Sequence, residues 1–181
     1  MALVYTPEIS PGERCPDFDL PSIAGPRVQR RDFQGPLLVM FICNHCPYVK
    51  AIEDRLIQLG HDLKNLGVDT VAISSNDAAE YPEDSFENLR QRAMQKKYSF
   101  PYLYDESQAV ARAFGAVCTP DFFLYDRSGT LVYRGRLDNS WKDATKVTTR
   151  ELYSAAQALV SGRTLPGVQV PSMGCSIKWK E

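Results

Sequence analysis

Leu37-Leu38-Val39-Met40-Phe41-Ile42-Cys43-Asn44-His45-Cys46-Pro47-Tyr48-Val49 is the stretch that decides the fold. Its first six residues are apolar without a break, the signature of a strand covered on both faces in an α/β sheet. From Cys46 onward Val49, Ile52, Leu56, Leu59, Leu63 and Leu66 recur at steps of three and four, with Lys50, Glu53, Asp54 and Lys64 on the polar side and Gly67 closing the segment. That pattern is an amphipathic helix beginning at the cysteines. The Cys43-Asn44-His45-Cys46 segment therefore occupies the junction between a buried strand and the first turn of a helix.

Working outward, Phe18-Asp19-Leu20 and Arg27-Val28-Gln29 flank the turn-forming Ser22-Ile23-Ala24-Gly25-Pro26, within the stretch from Pro11 to Gly35, and read as an N-terminal hairpin. Val68 to Ser75 reads as a second buried strand. Asp84 to Tyr98 reads as a second helix, with Phe86, Leu89, Ala93 and Met94 facing inward. Tyr102-Leu103-Tyr104 is a short third strand, and Ser107 to Phe114 a short helix ending near Gly115. Phe122–Tyr125 and Thr130–Arg134 flank Asp126-Arg127-Ser128-Gly129, a hairpin signal. A final helix runs from Thr148 to Val160 and stops at Gly162. Strands alternating with helices imply parallel pairing and the closing hairpin an antiparallel edge, so the sheet is expected to be mixed, with helices on both faces. The chain, 1–181, reads as one domain, with 164–181 as an irregular C-terminal tail.

The 21 Lys and Arg balance 22 Asp and Glu, leaving no basic excess to neutralise nucleic acid. Neither a signal peptide nor a run of membrane-spanning length is visible, which leads to the expectation of a cytoplasmic protein that engages no membrane. Five cysteines, Cys15, Cys43, Cys46, Cys118 and Cys175, are too few to staple a chain of this length. In a reducing compartment a close cysteine pair suggests metal binding or redox catalysis.

A lone C-x-x-C reads as half a zinc site, a redox pair or chance. Zinc takes four ligands, and the sequence holds no second C-x-x-C and no pair of closely spaced histidines. His61, Cys118 and Cys175 are the remaining candidates, without the spacing that recommends them. The redox reading gains from position, because unpaired N–H groups and the positive end of the helix dipole favour a thiolate. The dipole contributes about 0.3–1 kcal/mol, which at about 1.36 kcal/mol per unit lowers a thiol by less than one unit from about 8.5. Protonation of His45, hydrogen bonds to sulfur and the neighbouring thiol must supply the rest. Cys43, as the more exposed member, is expected to attack, and Cys46 to resolve the mixed disulfide.

Four segments resemble a known family: Pro11-Gly12-Glu13-Arg14-Cys15-Pro16-Asp17-Phe18, Cys43-Asn44-His45-Cys46-Pro47-Tyr48, Thr119-Pro120-Asp121-Phe122-Phe123-Leu124 and Ser172-Met173-Gly174-Cys175. They resemble the thioredoxin-fold redoxins that group the AhpC/TSA peroxiredoxins with the TlpA-like thioredoxins. The resemblance spans nearly the whole chain and implies a thioredoxin-like fold with an N-terminal β-hairpin extension. It implies that Thr119-Pro120 is a cis-proline loop lying against the cysteine pair and offering the Thr119 backbone to a bound polypeptide. It also implies reaction partners: a disulfide-containing protein or small-molecule disulfide, or a peroxide, with a thiol reductant system and no bound cofactor.

Against that pattern the chain departs in two places. Peroxiredoxins carry Pro-x3-Thr-x2-Cys. Counted back from Cys46 the two positions hold Val39 and Cys43, and counted back from Cys43 they hold Pro36 and Met40. Arg134 or Arg136 stands where a peroxide-orienting arginine is implied, with a solvated charge at a strand end as the alternative. The buried Asp of thioredoxin is replaced by Leu37. His45 resembles the histidine of the disulfide oxidase DsbA, which implies a more oxidising disulfide, whereas a cytoplasmic address implies net reduction.

Cys118 adjoins the Thr119-Pro120 loop and reads either as a third redox thiol or as a small buried hydrophobe. Cys175 reads as a mobile resolving cysteine or a passive thiol. Cys15 reads as passive and His61 as solvated. Asn76-Asp77 follows a strand end, as a functional loop or an Asx turn. Trp141 and Trp179 either cover the core or form a partner surface. Three functions follow: dithiol–disulfide exchange, thiol-dependent peroxide reduction, and a non-catalytic module that binds metal or a partner.

Overall fold

The structure is a computed structural model that describes residues 3–8, 12–165 and 167–181. Pro11, the first residue of the Pro11–Phe18 segment, lies outside the described residues.

The apolar run forms β4 (Leu37–Phe41), buried at every position. It pairs in parallel with β5 (Asp69–Ser74), which pairs in parallel with β6 (Tyr102–Tyr104). On its other side β4 pairs antiparallel with β8 (Asp121–Tyr125), and β8 with β9 (Leu131–Tyr133). The central sheet is thus mixed, in the order β6-β5-β4-β8-β9. Because strand side chains alternate, Leu38, Met40 and Ile42 enter one apolar layer and Leu37, Val39 and Phe41 the other.

The first layer is covered by α1 (Pro47–Asn65), α2 (Phe86–Lys96) and α4 (Glu151–Val160). The second is covered by α3 (Ala109–Ala113), whose Ala111 is buried, and by the hairpin of β2 (Asp19–Leu20) and β3 (Val28–Gln29), through Phe18 and Leu20. That hairpin also shields the β6 edge, since Tyr104 N–H donates to the Pro21 carbonyl at 3.0 Å and Ile23 N–H to that of Tyr102 at 2.9 Å. No helix of the described residues is long and apolar enough to cross a membrane.

Three expectations are corrected. Residues 164–181 are not irregular throughout: β10 (Met173–Ser176) pairs antiparallel with both β1 (Leu3–Tyr5) and β7 (Cys118–Thr119). A Cβ at Gly174 would stand 2.0 Å from the Thr119 carbonyl oxygen, so this approach needs glycine. On α2, Leu89 and Ala93 are buried, but Phe86 and Met94 are exposed at 37% and 66%. The helix begins at Phe86 because Ser85 caps it, accepting from Asn88 N–H, and Phe86 then meets the edge of the Tyr104 ring at 5.9 Å. On α1, Glu53 is buried rather than solvated: Arg92 and Tyr98 reach across, with Arg92 Nε and Tyr98 Oη each 2.8 Å from its carboxylate.

Candidate active site

Cys46 is the N-cap of α1 and Pro47 its first residue, where a missing N–H costs nothing. The Ile42 N–H and carbonyl anchor the end of the preceding strand, to Ile73 at 3.0 Å and to the Tyr102 hydroxyl at 3.3 Å. The segment between is therefore fixed at both ends. The Thr119-Pro120 peptide is cis and faces it. Thr119 Oγ1 lies 3.3 Å from Cys43 Sγ, and the Thr119 carbonyl 3.1 Å from Cys46 Sγ, where it accepts the thiol proton of the protonated form.

Asp84, which the sequence reading assigned only to a helix start, organises the dipeptide between the cysteines. It is fully buried at the end of a 3-10 turn, Pro82–Asp84. Its Oδ1 accepts from Asn44 N–H at 2.7 Å and from His45 N–H at 3.2 Å. Its Oδ2 lies 2.5 Å from His45 Nδ1 and accepts from Asn76 Nδ2 at 2.8 Å. The His45 ring stacks on Tyr81 at 4.8 Å, and its Nδ1 is 3.9 Å from Cys43 Sγ. Cys43 Sγ and Asp84 Oδ2 thus approach the same nitrogen, His45 Nδ1. Together the three residues also form a group of metal-ligating side chains. Zinc holds nitrogen and oxygen ligands at about 2.0–2.2 Å, which spaces ligand atoms roughly 3.4 Å apart. The 2.5 Å separation of His45 and Asp84 is instead that of a hydrogen bond.

The charge of the reduced pair falls on Cys46. The hydrogen bond donated by the Cys43 thiol outweighs burial, and with the Val49 and Cys175 N–H groups and the Cys175 thiol it lowers Cys46 to about 5. Cys43 is pushed well up, first by burial, then by giving its proton to that bond and by the Asp84 charge, against the Thr119 hydroxyl. The two thiols titrate as a unit holding one proton between them. Cys43 is the more exposed of the two, as expected, though at only 2% against 0% for Cys46. The opening, though small, is at Cys43.

A group whose folded pKa is lowered adds stability that is complete above its unfolded value and vanishes below its folded one. For Cys46 that window runs from about 8.5 for a free thiol down to about 5. The raised Cys43 opposes only above the free-thiol value. The melting temperature of the reduced protein, measured relative to the disulfide form, is therefore expected to rise with pH across this window. A difference that does not change with pH would contradict the assignment of charge to Cys46.

The other candidates are placed as follows. Arg134 is buried in the opposite layer, with its guanidinium bound to Asp121 at 2.9 Å and to the Gly115 carbonyl at 2.8 Å and lying over the Phe123 ring, so it does not reach the pair. Arg136 pairs with Glu151 and lines a cavity of about 160 Å³ beside Pro120, together with Tyr48 and Trp141. Trp141 packs on Tyr48 at 4.5 Å, and Trp179 lies under Arg112. Cys118 is buried, its thiol raised by burial and donating to the Pro120 carbonyl at 3.6 Å. Cys175, read as a mobile resolving cysteine or a passive thiol, is held in β10 opposite Thr119. Cys15 is half-buried and raised by burial, and His61 is exposed. Asp77 makes the Asx turn, accepting from Ala79 N–H at 3.0 Å, while Asn76 tethers Asp84 to the Lys178 N–H.

A mixed sheet, a dithiol at the start of the first long helix and a cis-proline loop facing it define a thioredoxin-like redoxin. Residues 11–134 match the AhpC/TSA family, and the chain belongs to that family of thiol oxidoreductases. Two solved structures are similar over nearly their full lengths. One is an uncharacterized conserved protein from Geobacillus kaustophilus, at 44% identity and TM-score 0.94, covering 99% of this chain and 97% of the other. The second is a hypothetical protein from Sinorhizobium meliloti 1021, at 42% and 0.92, covering 97% and 98%. The thioredoxin domain of a thiol-disulfide oxidoreductase from Bacteroides vulgatus shares the fold at 18% identity and TM-score 0.59, over 70% and 89% of the two chains. No curated protein sequence matches the chain.

Proposed function

We propose that the protein is a thiol–disulfide oxidoreductase working by dithiol–disulfide exchange through Cys43 and Cys46. The observation that carries this reading is the convergence of both sulfurs on Thr119 of the cis-proline loop. Cys43 passes its proton to Cys46 along their hydrogen bond and becomes the nucleophile, supported by the Thr119 hydroxyl. Its sulfur bonds to one sulfur of the substrate disulfide, and the other leaves as a thiolate. Cys46 then gives up its proton and attacks Cys43 Sγ, releasing the second substrate thiol. One substrate disulfide becomes two thiols as two protein thiols become one disulfide.

His45 lies 3.9 Å from Cys43 Sγ and is held there by Asp84, so this pair faces the attacking sulfur. The substrate is a disulfide-containing protein or small disulfide, and a thiol reductant restores the dithiol. The cavity beside Pro120 suits an apolar side chain flanking the substrate cysteine.

Peroxide reduction has less support. Met40 stands where the peroxidase threonine would, counted from Cys43, and it is fully buried among apolar side chains. Arg134 is committed to Asp121. The test is turnover of a protein disulfide and of hydrogen peroxide by one preparation under one reductant. Disulfide turnover is expected to exceed peroxide turnover by about 100-fold or more in kcat/KM, a difference of about 2.7 kcal/mol in barrier. The reverse order would overturn the proposal.

A further inference from the structure

β10 carries a further thiol into the site. Its register sets Cys175 opposite Thr119, the residue that Cys43 Sγ and Cys46 Sγ both touch. Gly174 permits this approach, because any Cβ there would collide with the Thr119 carbonyl. The Thr119 carbonyl that Cys46 Sγ reaches at 3.1 Å thus lies on the strand paired with Cys175, and the Cys175 N–H and thiol are among the groups that lower Cys46. Cys175 is 2% exposed and belongs to the same apolar cluster as the pair. Cys118 differs: strand alternation turns it away from Thr119, and its thiol is spent on the Pro120 carbonyl.

We propose that Cys175 is a third redox thiol, which takes Cys46 from the Cys43–Cys46 disulfide to form an internal Cys46–Cys175 disulfide. The proposal rests on the dithiol-exchange reading. Cys175 loses its proton and its sulfur attacks Cys46 Sγ. The Cys46–Cys175 bond forms as the Cys43–Cys46 bond breaks, and the electron pair stays on Cys43, which takes up a proton. One disulfide and one thiol stand on each side of the step, so nothing is oxidised or reduced overall.

In the reduced protein Cys175 is held up at about 12, first by burial and then by its hydrogen bond to Cys46 and the charge there. The last two causes vanish once Cys46 is bonded to Cys43, so only burial still holds the Cys175 thiol up and a larger share of it is thiolate at the stage that needs it. After transfer the disulfide lies between two buried residues, and the Cys43 thiol is free again.

The test oxidises the full-length wild type, Cys175→Ala and Cys43→Ser with diamide, followed by acid quench, alkylation and peptide mapping. Oxidised wild type is expected to yield a Cys46–Cys175 peptide, with alkylated Cys43 at least about tenfold above that in Cys175→Ala. Cys43→Ser is expected to form Cys46–Cys175 as its main disulfide. Complete alkylation of Cys175 in oxidised wild type and in Cys43→Ser overturns the third-thiol proposal, while a Cys43–Cys46 peptide in the same digest leaves dithiol exchange standing. Absence of the Cys43–Cys46 disulfide from Cys175→Ala overturns both. The wild-type digest decides the matter even where a variant fails to fold.

Discussion

Asp84→Ala is expected to lose about 3–5 kcal/mol of folding stability, the cost typical of removing one partner from a buried charged network. The carboxylate is fully buried and engages four nitrogens: two N–H groups of the Asn44-His45 dipeptide, the His45 ring and the Asn76 amide. Alanine leaves these groups with no acceptor in a place water does not freely enter, and each buried group left unpaired costs about 1–3 kcal/mol. The sum is not additive, because the segment relaxes once its anchor is gone. Asp84→Asn keeps the shape and one acceptor, but it sets an NH2 group against at least one donor. It is expected to fall between wild type and alanine. Denaturant unfolding of the reduced protein measures the loss, and alkylation of Cys43, faster in Asp84→Ala, reports the freed loop. A loss below about 1 kcal/mol would mean that Asp84 does not hold the segment.

The second large effect is on activity. Cys43→Ser is expected to lower disulfide turnover by about 1000-fold or more, as removal of a sole nucleophile does. The stability of the variant should change little by comparison, since serine matches the thiol in shape and meets Thr119 Oγ1 in its place. The two consequences separate chemistry from folding. Retention of more than about a tenth of wild-type turnover would mean that Cys46, despite having no exposed surface, reaches substrate directly.

What could be read from the sequence, and what could not, divides along physical lines. β4 and α1 were legible because burial leaves its mark on side chains: 37–42 is an unbroken apolar run and 49–66 keeps the helical period. The cysteine pair was legible because it falls between the two patterns. Asp84 was not, because it lies 40 residues from Asn44 in the chain and meets it only through the fold. Its signal, Pro82-Glu83-Asp84-Ser85 before a helix, is that of ordinary capping. β10 was hidden by Pro171 and Gly174, which read as breakers although Gly174 is what brings the strand against Thr119. Which thiol holds the charge was not legible for a related reason: spacing gives the distance between two thiols along the chain, not the direction in which one donates to the other.

Dithiol exchange with Cys43 in attack is tested most directly by trapping. Cys46→Ser, with its resolving thiol removed, is incubated with a protein disulfide, and the covalent adduct is mapped by mass spectrometry. The expected result is a stable mixed disulfide whose linkage on this protein is at Cys43. Linkage through Cys118 or Cys175, or no adduct under conditions where the wild type turns over, would contradict it.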